Sequence, residues 1–186
     1  METLNKQAIN NGIIIGIIGI AIQLLTYYAA PNLLGATWFG IATSIILLAI
    51  YIAFTLDLRK KIGGFWSFKD ALKGIFIMSL VANVGSSIFN YLFYKFIEPG
   101  AYDKVVGIVS EGMASTYEKM GMSQDVIDLA MVKVIDGLKS QYQPSPLDFI
   151  KNLGIIILVG FVISLIFAAI FKKNPPMFAQ IEEEEN

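Results

Sequence analysis

The feature that most constrains this chain is the distribution of its charges. From Gln7 to Leu56 there are 50 consecutive residues without Asp, Glu, Lys or Arg, and further uncharged windows run from Gly74 to Tyr94 and from Asn152 to Phe171. A helix needs roughly 20 apolar residues to cross a hydrocarbon core of about 30 Å. The first window is long enough for two crossings, and each of the others for one. The pattern therefore predicts an integral membrane protein with four transmembrane helices.

Turn residues divide the chain into segments. Pro31-Asn32 and Gly35 fall near the middle of the longest window, where we expect the chain to reverse. The predicted fold class is all-α: a membrane four-helix bundle with an extracytoplasmic two-helix insert between helices three and four. The predicted segments are 1–8 (cytoplasmic N-terminus), 9–56 (transmembrane hairpin of helices one and two), 57–67 (cytoplasmic basic loop), 68–97 (transmembrane helix three), 98–146 (extracytoplasmic helical hairpin), 147–171 (transmembrane helix four) and 172–186 (cytoplasmic acidic tail).

Capping residues mark the starts of helices three and four. Ser67 and Asp70 have capping-box spacing, in which Ser67 accepts a bond from the Asp70 amide and the Asp70 side chain reaches back to the Ser67 amide. Ser145 and Asp148 repeat this spacing. In the insert, apolar residues recur at helical intervals, and Ser123 is a candidate cap for its second helix. The two stripes are Val105, Val109, Met113, Tyr117 and Met120, then Ile127, Met131, Val134 and Leu138.

Positive charge sets the expected orientation. Five Lys and Arg residues lie between 57 and 73, and none lies in the turn 31–37. Because cytoplasmic loops carry an excess of Lys and Arg, this loop and both termini are predicted to be cytoplasmic. The insert is then extracytoplasmic, and it is net acidic, with four Lys and seven acidic residues. The five basic residues are Arg59, Lys60, Lys61, Lys69 and Lys73.

Helix three carries a polar face that is a candidate intramembrane site. Ser79, Asn83, Ser86 and Asn90 recur at intervals of four, three and four residues, which places them on one side of the helix. Amides at membrane depth are costly unless they find partners. One interpretation is interhelical hydrogen bonding, with Gln23 and Thr26 of helix one as partners. The alternative is a polar lining for a small cavity or a substrate path.

Small residues at four-residue spacing favour close helix packing in lipid. They occur on three of the predicted helices, and they indicate either packing within the bundle or self-association through one of these faces. The sets are Gly12 and Gly16, then Ala36, Gly40 and Ser44, then Gly160, Ser164 and Ala168.

Composition excludes several classes of function. The chain has no Cys and no His, so disulfides, thiolate chemistry and a Ser-His-Asp triad are impossible. No Asp, Glu, Lys or Arg lies inside a predicted membrane core, which argues against proton-coupled transport and intramembrane proteolysis. There is no phosphate-binding Gly-rich loop. We therefore predict no enzymatic activity, no cofactor, no metal and no nucleic-acid partner.

Two stretches resemble a known family: Gly63–Leu72, entering helix three, and Phe89–Gly100, leaving it. They are similar to the bacterial domain-of-unknown-function family 4199. The resemblance implies a multi-pass protein of the bacterial inner membrane, with four spans and a helical insert before the last. It brings no established activity and no site residues.

Two functional hypotheses follow from the sequence. The first is a non-enzymatic scaffold or partner-binding protein whose insert docks on a protein partner, on the membrane surface or on its own bundle. Its partners would be the lipid bilayer and a second protein or a second copy of the chain. The alternative is a small transporter or channel component that uses the polar face of helix three.

Overall fold

The computed structural model describes residues 2–175 and is built from helices. The predicted all-α fold is confirmed over these residues, in which β-type pairing is confined to an isolated bridge between Trp66 and Lys173. Met1 and positions 176–186 of the predicted acidic tail lie outside the described residues. The helices are α1 (Glu2–Ala29), a 3-10 turn (Pro31–Gly35), α2 (Thr37–Lys61), α3 (Phe68–Leu92, continued by a π-helical turn, Phe93–Ile97), α4 (Ala101–Lys119), α5 (Gln124–Tyr142) and α6 (Pro146–Phe171).

Four of these helices are long and apolar enough to cross a membrane: α1, α2, α3 with its π turn, and α6. Two of them extend beyond the predicted apolar spans. α1 begins at Glu2, where polar residues continue the helix and bring Leu4 and Ala8 into buried contacts. α2 runs past Leu56 to Lys61. Hydropathy marks the part of a helix that lies in lipid, whereas the hydrogen-bonded helix continues into the polar flanks.

α3 is the central helix and packs along α1 on one side and α6 on the other. A Cβ placed at Gly12 of α1 would lie 2.7 Å from the carbonyl oxygen of Met78, and one at Gly16 would lie 3.5 Å from the Cα of Ala82. Backbones approach this closely in lipid where the intervening residues are small. The small face predicted on helix one is therefore used for packing inside the bundle.

The small face of α6 is also used inside the chain, whereas that of α2 is not. Gly160 faces Ser79, whose Oγ would lie 3.1 Å from a Cβ at the glycine, and Ser164 and Ala168 are fully buried. A Cβ at Gly40 of α2 would meet no atom within 4 Å. α2 is buried only near its C-terminal end. It is thus the peripheral helix of the bundle.

A hydrophobic core closes the bundle at the end opposite the insert. Trp66, in the loop between α2 and α3, is 3% exposed, and its indole N–H donates to the carbonyl oxygen of Phe171 at 2.8 Å. Trp66 and Lys173 also exchange two backbone hydrogen bonds, of 2.9 and 3.2 Å, which fix the end of α6 against this loop. The core residues are Leu4, Ala8, Leu58, Trp66, Ala71, Ile75, Met78 and Ala168.

The predicted caps of α3 and α6 are present, with a different second bond. Ser67 Oγ accepts from the Asp70 amide at 3.2 Å as expected, but the Asp70 carboxylate accepts from the Ser67 hydroxyl, at 2.7 Å, instead of the Ser67 amide. Ser145 and Asp148 have the same arrangement. The Glu of a full capping box is one methylene longer than Asp, and the shorter side chain bonds the nearer hydroxyl. Ser123 is at the N-cap of α5 but makes no side-chain cap bond.

The first helix of the insert, α4, lies across the end of the bundle. Ala101 and Val105 at its start are buried in a cluster with Tyr27, at the end of α1. Two turns further on, Gly112 meets the 3-10 turn, where the carbonyl oxygen of Gly35 occupies the space that a Cβ at Gly112 would need. The insert is therefore packed on its own bundle through α4.

The second helix of the insert, α5, returns beside α4 to the start of α6. Its predicted apolar stripe is turned inward, with Ile127 buried and Met131, Val134 and Leu138 half-buried. At the far end of α5, Asn152 of α6 donates from Nδ2 to the carbonyl oxygen of Ser140 at 3.1 Å. The hairpin thus covers the bundle from the α1–α2 turn to the start of α6.

Candidate binding cavity at the insert end of the bundle

A π-helical turn ends α3 beside the insert. The amide of Glu98 donates to the carbonyl oxygen of Phe93 at 2.8 Å, a bond that spans five residues. The wider turn accompanies the burial of two consecutive side chains, Phe93 at 2% exposed and Tyr94 at 3%. Such turns are frequent at functional sites. This one lies within Phe89–Gly100, one of the two stretches that carry the family resemblance.

Aromatic rings join the insert to the transmembrane helices around this turn. The rings of Tyr27 and Phe93 meet edge to face with centroids 5.7 Å apart, and those of Tyr94 and Tyr142 lie 4.5 Å apart. Burial raises the pKa of the Tyr142 phenol, because the charged phenolate would lose its hydration there. The cluster fixes the end of α5 over the end of α3.

An acidic side chain completes the junction between α1 and the insert. The hydroxyl of Tyr27 donates to Oε1 of Glu98 at 3.2 Å, and that of Tyr28 donates to Oε2 at 2.8 Å. Lys104 Nζ lies 4.4 Å from the centroid of the Tyr27 ring. Each carboxylate oxygen of Glu98 is thus bonded to the last turn of α1, which holds α1, α3 and α4 in register.

The members of the predicted polar face on α3 have different surroundings. Ser79 is buried against Gly160 of α6. Ser86 faces α1, where a Cβ placed at Gly16 would lie 3.7 Å from Ser86 Oγ. Asn83 is exposed, and its Nδ2 donates to the carbonyl oxygen of Ser79 at 2.8 Å within the same helix. The structure therefore does not bring the four residues to one common site.

The interhelical hydrogen bonds expected between this face and α1 are not formed within the described part of the chain. The Thr26 hydroxyl donates to the carbonyl oxygen of Ile22 in its own helix, at 2.8 Å. Gln23 lies beside the Tyr94 hydroxyl, yet its Nε2 is buried without a partner, as is Oδ1 of Asn90. Buried polar atoms are rarely left unpaired. The unpaired oxygen of Asn90 marks a place suited to a hydrogen-bond donor.

Asn90 borders a cavity of about 440 Å³ between α3, α5 and α6. This volume falls within the range of about 300–1,000 Å³ that is typical of small-molecule sites. The rings of Tyr91 and Phe149 stack at one wall, with centroids 4.5 Å apart. The lining carries no formal charge: it consists of Ser87, Asn90, Tyr91, Gly137, Ser140, Gln141, Pro144, Phe149, Asn152, Leu153, Ile155 and Ile156.

The cavity provides groups for binding, and its chemistry is that of neutral amides, hydroxyls and apolar carbon. Charged side chains lie in an adjoining depression, where two lysines face two aspartates: Lys95, Lys139, Asp136 and Asp148. Residues 2–175 contain no group of three or more His, Cys, Asp or Glu side chains that could hold a metal ion. A neutral polar wall over an apolar floor selects ligands by hydrogen bonding and shape.

Two polar contacts in the bundle were not predicted from the sequence. The Tyr51 hydroxyl donates to the carbonyl oxygen of Ile75 at 3.2 Å and joins α2 to α3. Asn11 is buried, and its Nδ2 donates to the carbonyl oxygen of Phe54 at 3.2 Å and to Oδ2 of Asp57 at 3.1 Å. The available signal was a polar side chain within an otherwise apolar run.

Comparison with known proteins gives one match. A family model described as "Protein of unknown function (DUF4199)" matches residues 10–173. No curated protein and no solved structure matches the chain. The matched range includes the whole insert, the π turn and the cavity. Because the model covers well over half of the chain, this protein belongs to the DUF4199 family, as the resemblance in the two stretches around helix three predicted.

Proposed function

We propose that this protein is a non-enzymatic membrane scaffold whose insert binds another protein through α5. The main support is the contrast between the two helices of the insert: α4 is packed on the bundle, whereas α5 exposes apolar side chains in addition to those it buries. Val126, Leu129 and Val132 of α5 are 49%, 71% and 60% exposed. A surface of this kind on an extramembrane helix is typical of an interaction site.

The charge of this surface favours a basic partner. Leu129 and Val132 lie on the side of α5 opposite Ile127, the residue buried next to the bundle. At 3.6 residues per turn, three aspartates share that outer side with two lysines, which leaves it net acidic by one charge. They are Asp125, Asp128 and Asp136, with Lys133 and Lys139. The expected partner is an extramembrane protein segment that presents apolar and basic side chains together.

The same charges argue against two other occupants. Helices that lie on a membrane surface carry Lys and Arg on their polar face, because headgroups are often anionic. A second copy of the chain joined by a two-fold axis would place the same acidic face against itself. Both arrangements are disfavoured by the aspartates of α5.

We further propose that the protein lies in the bacterial inner membrane with both termini cytoplasmic. The basic loop carries Arg59, Lys60 and Lys61, and Lys173 is paired with Trp66 beside that loop. The positive charges of the loop and of the end of α6 are therefore at one end of the bundle, which supports a cytoplasmic assignment for that end. The insert is at the other end.

A single introduced cysteine tests both the partner and the orientation, because the chain has no cysteine of its own. The Leu129→Cys variant is expressed in cells and treated with a membrane-impermeant maleimide that carries a benzophenone. We expect a photo-crosslink to one protein with a basic contact segment, and the same product from Val132→Cys. Gly107→Cys, on the open side of α4, is the matched control and should give no such product.

Neutral variants test whether the aspartates of α5 contribute to partner binding. Changing Asp125, Asp128 and Asp136 to Asn in the Leu129→Cys background should lower the crosslink yield about ten-fold, since exposed pairs contribute up to about 1 kcal/mol each. The same three-charge change on α4 should have little effect; its sites are Asp103, Glu111 and Glu118. Crosslinks confined to lipid or to a second copy would contradict the partner, and a failure to label would contradict the orientation.

A second candidate function is transport along the polar face of α3. The unpaired Oδ1 of Asn90 and Nε2 of Gln23, together with the adjacent cavity, favour it. Toward the other end of the bundle the path is closed, because Ser79 packs on Gly160 and the fully buried side chains of Ile75 and Met78 follow. Transport would require these helices to separate.

Flux measurements distinguish the two functions. Proteoliposomes of the wild-type protein are placed in a glycerol gradient, and we expect them to swell no faster than empty liposomes. If they do swell faster, the variant Asn83→Leu with Asn90→Leu decides the cause. Loss of flux with unchanged folding would replace the scaffold proposal by transport, whereas flux that persists would exclude the polar face as its route.

A further inference from the structure

The cavity beneath the end of α5 joins a polar wall to the lipid-facing surface of α6. Ile155 contributes to its floor and is 60% exposed on the outside of the helix, next to Leu158 at 66%. We propose that this cavity binds an uncharged lipid whose headgroup carries a hydroxyl. The proposal is independent of the partner site on α5, because it uses a different set of residues and a different ligand.

Three polar residues that border the cavity have hydrogen-bonding capacity which the chain leaves unused: Ser87, Asn90 and Asn152. Oδ1 of Asn90 is buried without a donor. Asn152 uses its Nδ2 on the carbonyl oxygen of Ser140, which leaves its Oδ1 as an acceptor. The Ser87 hydroxyl donates to the carbonyl oxygen of Asn83, so the lone pairs of Ser87 Oγ can still accept a hydrogen bond. A ligand hydroxyl can donate to groups of this kind and can also accept from Ser140 and Gln141 of the same lining.

Charge in the ligand is disfavoured by the lining. A phosphate in a cavity without formal charge would lose its hydration with no countercharge in return. Of the lysines beside the cavity, Lys95 donates from Nζ to the Tyr91 hydroxyl at 2.6 Å, and Lys139 shares its depression with Asp136 and Asp148. The headgroup that fits is therefore neutral.

The level of the cavity assigns the source of the ligand. Asn152 is the first residue of the uncharged window of α6, directly after Lys151, and thus marks the edge of the hydrocarbon core. A lipid from that leaflet can place its glycerol hydroxyl at Asn90 and Asn152 while its chains run along Ile155.

The test uses the full-length protein in lauryldimethylamine oxide, a detergent without hydroxyl groups. Three probes are titrated and followed by native mass spectrometry and thermal unfolding: dioleoylglycerol, dioleoyl phosphatidic acid and free glycerol. The two lipids differ only in the phosphate that replaces the hydroxyl hydrogen. We expect dioleoylglycerol to bind and to raise the unfolding temperature, and the other two to have no effect.

Two variants with matched controls locate the site. Asn90→Leu should weaken dioleoylglycerol binding about ten-fold, the value of one hydrogen bond to a buried acceptor, while Asn83→Leu, on the same helix but outside the cavity, should not. Gly137→Leu should fill the cavity and reduce binding at least as much, whereas Gly107→Leu, also at an open helical position, should not.

Each result has a defined meaning. Equal binding of phosphatidic acid would overturn the uncharged headgroup, and binding of glycerol alone would overturn the lipid. Unchanged binding in both Asn90→Leu and Gly137→Leu would overturn the location. Misfolding does not confuse the outcome, because Asn90→Leu removes an unpaired buried acceptor and should unfold at no lower temperature than the wild-type protein without lipid.

Discussion

Replacing Trp66 with Ala is expected to lower the free energy of unfolding by about 3–5 kcal/mol, the range for large aromatic truncations in a packed core. Trp66 is 3% exposed and packs in the core at the end opposite the insert. A Cβ placed at Gly74 of α3 would lie 3.4 Å from Cζ3 of its ring. The substitution also removes the donor to the carbonyl oxygen of Phe171. The change is measured by reversible unfolding in mixed detergent micelles, monitored by the far-ultraviolet circular dichroism of the helices.

Two controls separate packing from hydrogen bonding at this site. Trp66→Phe keeps most of the apolar volume, and Arg59 Nη1 remains bonded to the Phe171 oxygen at 3.3 Å, so a loss of about 1–2 kcal/mol is expected. Trp38→Ala removes the other tryptophan of the chain, which is 64% exposed, and should change stability by less than about 0.5 kcal/mol. Equal losses at Trp38 and Trp66 would contradict a packed core around the latter.

The transmembrane helices could be predicted because the bilayer imposes a simple rule. A span must exclude charge over about 20 residues, and that condition is visible in any window of sequence. The small faces of α1 and α6 were predictable from spacing alone, since Gly12 and Gly16 are four residues apart, and so are Gly160 and Ser164. These signals are local, and each can be read without knowing which helix lies beside it.

The candidate site was only partly predictable. Periodicity placed Asn83 and Asn90 on one side of α3. It could not show that Asn83 is exposed and bonded to Ser79, while Asn90 is half-buried beside a cavity with its Oδ1 enclosed. That difference comes from α5 and α6, whose positions depend on the π turn at Phe93–Ile97 and on contacts distant in sequence. The sequence likewise places Trp66 only in the stretch that enters helix three, although its indole N–H anchors the end of α6.

The contact that seats the insert has no local signature at all. The whole of α2 and α3 lies between Gly35 and Gly112 in the chain, and neither glycine belongs to a periodic set. Their backbones nevertheless meet where α4 crosses the α1–α2 turn, with Ile108 on the same side of the helix. A side chain at either position would have to displace backbone, which cannot yield as a flexible side chain does.

Gly112→Ala is therefore expected to destabilise the docking of α4 by about 3 kcal/mol, the upper end of the range for overpacking. The added methyl group must occupy the place of the Gly35 carbonyl, so the start of the hairpin separates from the turn while the transmembrane helices stay packed. Hydrogen exchange of the α4 amides and tryptic cleavage at Lys104 and Lys119 should both accelerate.

Gly107→Ala is the matched control on the same helix, since a Cβ there meets no atom within 4 Å. It should stabilise α4 by about 0.5–1 kcal/mol, because alanine loses less backbone entropy than glycine in a helix. The two substitutions thus have opposite expected signs although they add the same methyl group. If both slow exchange equally, Gly35 and Gly112 are not in contact, and the insert is held by the aromatic cluster around Tyr27 and Phe93 alone. Acceleration in Gly112→Ala only, with the exchange of α3 unchanged, would show that α4 separates from the α1–α2 turn while the transmembrane helices stay packed, because the added methyl group and the Gly35 carbonyl cannot occupy the same space.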